Sequence, residues 1–124
     1  MSTDLPRELS ADEMAVLRAM VDHARGLDSP TPVTDADRQR WRAQLPTARA
    51  GRRCGCGTCP SVDLTDETGR VRQRERSRVV LSADAPGAML LLFIDDDELS
   101  YLELAPIDED GSFDAFPDVG DLEF

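Results

Sequence analysis

Residues 88–94 read Ala88-Met89-Leu90-Leu91-Leu92-Phe93-Ile94, seven apolar residues without a break. Turn-forming stretches bound the run: Asp84-Ala85-Pro86-Gly87 before it and Asp95-Asp96-Asp97-Glu98 after it. A bilayer-spanning helix needs about 20 apolar residues, so this run fits a strand. A strand apolar on both sides suits the centre of a sheet buried on both faces. Val79, Leu81 and Ala83 alternate on its upstream side, and residues 99–105 return on its downstream side. In the return strand Leu99 and Tyr101 share one face by alternation, and Leu102 and Leu104 share the other. The short connections make these neighbours antiparallel. Residues 48–54 and 61–64 add two short strands around a Gly-rich corner.

The first third of the chain has helical periodicity instead. Ser10 and Glu13 form a capping box, and Leu9 and Met14 are spaced as a hydrophobic staple. Met14, Leu17, Val21 and Ala24 recur at helical spacing, and Gly26 is a natural stop, which predicts a helix over residues 11–25. Thr34 opens a second helix with Asp35 and Asp37 in its first turn, where the helix dipole favours acids. Trp41 and Leu45 lie four apart on one face, and Pro46 ends the helix. The fold class expected is therefore α+β: two N-terminal helices packed on a mainly antiparallel sheet of about five strands. With 124 residues the prior is one domain, placed at 1–106. Residues 107–124 then form an irregular acidic-hydrophobic C-terminal tail, in which Phe113 and Phe116 pack back onto the body.

Charge divides the chain. Residues 1–78 carry 14 Arg and 12 acids, a balance of +2, whereas residues 79–124 carry 13 acids and no base, which leaves −11 for the whole. Such segregation marks a solubilising tail or an interaction surface for a basic protein partner. The same acidity opposes nucleic acid. Arg70, Arg72, Arg74, Arg76 and Arg78 alternate, so an extended strand would align them on one side. No aromatic residues interleave to stack bases, and the row reads better as Arg guarding a sheet edge. No membrane span is expected. The polar, acidic N-terminus shows no export signal, so a cytoplasmic location with reduced thiols is expected.

Chemistry concentrates in Arg53-Cys54-Gly55-Cys56-Gly57-Thr58-Cys59-Pro60. Cys54, Cys56 and Cys59 could converge on one zinc ion, which prefers four N or S ligands, and His23 is the only histidine available as the fourth. The second ligand pair of a zinc module is missing. Cys56-Gly57-Thr58-Cys59 has a redox spacing, but Ser61-Val62-Asp63-Leu64 alternates like a strand, whereas a thioredoxin-like site opens a helix. The alternative is a Gly-rich hairpin whose cysteines serve as small hydrophobes. Asp108-Glu109-Asp110-Gly111 begins like a calcium loop, but Phe113 and Val119 stand where that loop needs Gly and Glu. No P-loop, G-x-G-x-x-G or Ser–His–Asp grouping is present.

The block Arg53-Cys54-Gly55-Cys56-Gly57 with Cys59, Ser61, Val62 and Leu64 resembles a motif of small uncharacterised proteins from GC-rich, actinobacterial-type bacteria. Glu98-Leu99-Ser100-Tyr101-Leu102-Glu103 is similar to their second shared block. The cation usage is in keeping with such a genome, since all 14 basic residues are Arg. The resemblance implies an α+β domain and brings no activity and no site residue. The expectation is thus a non-enzymatic, immunity-like or regulatory interaction protein with no catalytic residue and no cofactor. The alternative is a zinc-binding or thiol-redox module on Cys54, Cys56 and Cys59.

Overall fold

The apolar run forms β6 (Ala88–Asp95), which lies inside a seven-stranded, wholly antiparallel sheet. The protein is described by a computed structural model covering residues 7–27, 32–53, 60–68, 78–107, 113 and 115–124. The other strands are β1 (Arg7–Glu8), β2 (Arg25–Gly26), β3 (Arg49–Arg53), β4 (Val62–Thr65), β5 (Arg78–Ala85) and β7 (Glu98–Pro106). Their spatial order is β1-β3-β4-β7-β6-β5-β2. Helices α1 (Ala11–His23) and α2 (Asp35–Arg42) interrupt the strands, and short 3-10 turns follow at Leu45–Thr47 and Val119–Asp121.

This corrects the expected fold of two N-terminal helices on a sheet of about five strands. Among the described residues the sheet has seven strands and outweighs the helices. Strand β1 precedes α1 and β2 lies between the helices, so the helices are not a leading pair. The two unforeseen strands have two residues each and sit at the two edges. A segment so short has no periodicity to read, and its pairing depends on distant partners. Arg7 pairs with Ala50 and its guanidinium forks onto Glu13 at 2.8 and 2.9 Å, tying β1 to α1. Gly26 pairs with Leu81, and Leu27 N–H extends that ladder to Val80 O.

Helix α1 starts as its sequence requires, with the Ser10–Glu13 capping box formed in both directions. It ends two residues before the expected boundary, because Ala24 already has extended backbone. Gly26 is recruited into β2 rather than serving as the helix stop. The carbonyls freed at this end are taken by the second helix: Arg38 donates to Val21 O at 3.0 Å and to Ala24 O at 2.8 Å. Helix α2 has its own reciprocal box between Thr34 and Asp37.

The core lies between one sheet face and the helices. Val16, Leu17, Met20 and Val21 of α1, with Trp41 and Leu45, close over Leu64, Leu81, Leu90, Leu92, Ile94, Leu102 and Leu104. Phe116 and Leu122 belong to this cluster, and Phe113 packs against it. A bulge in β7 sets the register: Phe93 pairs with Tyr101 but Ile94 pairs with Leu99, leaving Ser100 unmatched. The extra residue turns Leu99 onto the buried face beside Leu102 and Leu104, where plain alternation had placed it with Tyr101.

The expectation that β6 is buried on both faces is also corrected. Ala88, Leu90, Leu92 and Ile94 point into the core, whereas Met89, Leu91 and Phe93 lie on the opposite face and are only half-buried or exposed. None of those three belongs to the core cluster or packs against it. A central position in a sheet guarantees two hydrogen-bonded neighbours, but covering both faces needs a second layer of helices. The described helices supply one layer.

Candidate functional site

Directly paired residues of antiparallel strands share a face, so the register defines the outer surface row by row. One row runs Val80–Phe93–Tyr101–Asp63 across β5, β6, β7 and β4. The next runs Arg25–Ser82–Leu91–Glu103, and the third Glu123–Asp84–Met89–Ala105. The first row is engaged within the molecule. Arg78 lies over the Phe93 ring at 4.9 Å, and the Phe93 and Tyr101 rings are 5.8 Å apart. The same guanidinium forks onto Asp95 at 2.7 and 3.0 Å. Asp95 is 1% exposed, so this pair keeps a buried carboxylate compensated.

Asp63 occupies the β4 end of that row. Burial pushes its carboxyl above the usual carboxylate range, and the charge of Arg52 works against this. The folded state therefore holds this proton more tightly than the unfolded chain. Stability falls as pH rises from the unfolded value through the folded one. Asp63→Asn is expected to raise the melting temperature at neutral pH, with the gain vanishing below about pH 3, where both states are protonated. A Tm–pH series on both proteins checks this, and an unchanged or lowered Tm at pH 7 would count against a desolvated carboxylate.

A second charged cluster joins α2 to the β6–β7 turn. Asp96 and Asp97 take positive φ of 49° and 67°, a pair of left-handed residues that closes a two-residue hairpin. Aspartate tolerates this backbone better than most residues. The turn presents the Asp97 carboxylate to Arg40 Nε at 2.6 Å and Trp41 Nε1 at 2.7 Å. Arg40 also bonds Asp37. Gln44 completes the clasp, donating to Asp97 O at 2.8 Å and accepting from Leu99 N–H at 2.9 Å. The Arg40 and Trp41 bonds hold the Asp97 carboxyl below its ordinary range. Every polar group named here has a partner inside the molecule, so the cluster reads as a fastening. A depression of about 250 Å³ beside it is lined by Gln44, Thr47, Ala48, Thr65, Asp66, Glu98 and Leu99.

The residues singled out from sequence are distributed as follows. Cys54, Cys56 and Cys59 lie outside the described residues, as do Arg70, Arg72, Arg74 and Arg76. His23 ends α1, exposed, with its ring 5.4 Å from that of Phe124. Pro60, which follows Cys59, lines a hollow with Ser10 and Glu13 at the start of α1. Glu13 lies ten residues before His23 on the helix, about 15 Å at 1.5 Å each. Among the described residues no three His, Cys, Asp or Glu side chains gather as a metal-binding group. None of their helices is long and apolar enough to cross a membrane.

The C-terminal acids do reach the body of the fold. Asp84 and Glu123 exchange backbone bonds of 2.8 Å in both directions, which seats the chain end against the β5 edge beside β2. Their side chains are like-charged cross-strand neighbours, an arrangement that costs stability. Sequence reading missed Met89, Glu103 and Ile107 as surface features. The available signal was the polar alternation of Ser82, Asp84, Glu103 and Tyr101 in the flanking strands, which faces Met89, Leu91 and Phe93 toward water. Comparison of the chain with family models, curated proteins and solved structures finds no match.

Proposed function

We propose that this protein is a non-enzymatic interaction module, of an immunity-like or regulatory kind, which meets a basic protein partner through its acidic C-terminal half. The observation that carries the reading is the distribution of charge compensation. Residues 79–124 hold 13 acids and no base. Arg78 and Arg40 neutralise Asp95 and Asp97 from the other half of the chain. Asp84, Glu103, Asp118, Asp121 and Glu123 make no ion pair among the described residues. A surface of uncompensated carboxylates attracts cationic partners over a Debye length of about 8 Å at physiological salt and raises their association rate.

Affinity capture from the native cell tests the reading with two baits: the wild type, and a variant with Asp84, Asp118 and Asp121 changed to Asn and Glu103 and Glu123 to Gln. The expected result is a basic protein retained by the wild type and lost by the variant, with both baits equally folded by circular dichroism. Capture of nothing, or of the same proteins by both baits, would overturn it.

A further inference from the structure

We infer that the basic partner docks on the outer face of the sheet, over Met89, Leu91 and Ala105, at the end nearest the β5–β6 turn. This rests on the functional reading above and names its surface. Three observations converge on the place. The first is apolar exposure: Met89, the second residue of β6, is 36% exposed. Ile107 adjoins it, held by its N–H to Gly87 O at 3.0 Å and 70% exposed. Adjoining apolar residues left in water mark an interaction surface, whereas singly scattered ones do not.

The second is the charge around it. The register puts Asp84 and Glu123 on one side of Met89 and Glu103 beside Leu91 on the other. None of these three acids has an ion pair among the described residues. Arg25, paired with Ser82, is the base that the register adds at the edge. The occupant that fits is an apolar protein segment flanked by Lys or Arg. A second copy of this chain would set acid against acid, and anionic lipid or nucleic acid would be repelled likewise.

The third is rigidity. The patch lies on β5, β6 and β7, which pair without interruption from Ala85–Ala88 to Val80–Phe93 and from Ala88–Pro106 to Phe93–Tyr101. Docking there needs no rearrangement, so little ordering cost opposes it.

NMR titration of the full chain with a synthetic amphipathic Leu/Lys peptide tests this, with the Leu/Glu counterpart as control. The expected result is shifts centred on Met89, Leu91, Ala105 and Ile107 with the cationic peptide alone. The double variant Met89→Ser, Ile107→Ser, which removes the apolar contact without changing the charge, should weaken binding by about tenfold or more. Both residues are exposed, so an unchanged amide spectrum elsewhere shows that the variant folds. Shifts centred on residues 95–98 or 118–122 would overturn the docking face while leaving the acidic-partner reading standing. No binding of the cationic peptide would overturn both. A concentration-dependent dimer dispersed by the double variant would replace the partner with a second copy.

Discussion

Replacing Trp41 with alanine is expected to cost about 3–5 kcal/mol, the usual loss for a large buried aromatic. A domain of this size commonly has a total stability of about 5–15 kcal/mol, so the variant should lie near the threshold of folding. Trp41 is 2% exposed and packs in the main core with Leu45. It also holds the Asp97 turn, through the 2.7 Å bond from its indole N–H. Alanine therefore opens a void and releases the turn together. Two milder changes separate these effects. Trp41→Phe keeps most of the volume and removes the bond, at a cost of about 1 kcal/mol. Asp97→Asn keeps an acceptor and a residue tolerant of positive φ. Urea denaturation should rank the losses Trp41→Ala, then Trp41→Phe, then Asp97→Asn. Equal losses for the two Trp41 variants would mean that packing contributes little. Because the Asp97 carboxyl is held below its ordinary range, its contribution persists above about pH 4 and is lost as pH falls through the folded value.

The second large effect distinguishes the two faces of β6. Leu92→Ala should cost about 2–5 kcal/mol, because Leu92 is completely buried among Leu81, Leu90 and Leu102. Met89→Ala, three positions away on the same strand, should change stability by under about 1 kcal/mol. Equilibrium unfolding of the two proteins gives the comparison. Similar losses would mean that the outer face is as tightly packed as the inner one.

That asymmetry also shows where sequence reasoning succeeded and where it stopped. Ser10, Glu13, Thr34, Trp41 and Leu45 announce both helices, because caps and helical spacing act within a few residues. The turns at Pro86-Gly87 and Asp96-Asp97 are equally local, and positive φ at Gly87, Asp96 and Asp97 is what those residue types permit. Strands β1 and β2 could not be read, since two residues at an edge owe their pairing to Ala50 and Leu81, tens of positions away. The bulge at Ser100 was hidden for a related reason: a one-residue offset between β6 and β7 leaves no trace in either strand alone. The run at residues 88–94 misled differently. Apolar residues on both sides of a strand are compatible with two buried faces, and equally with one buried face and one kept for a partner. The C-terminal charge was plain from composition, but its position against β5 depends on Asp84 meeting Glu123, which composition does not encode.

Carboxylates of the C-terminal half are proposed to recognise a basic protein. The ionic-strength dependence of the captured partner's affinity tests this most directly, by calorimetry from roughly 0.05 to 0.5 M salt, a range over which the Debye length shortens about threefold. Affinity should fall steadily across that range for the wild type, and change far less when Asp84, Glu103 and Glu123 are neutralised. An affinity independent of salt, or one equally salt-dependent in the neutralised variant, would contradict it.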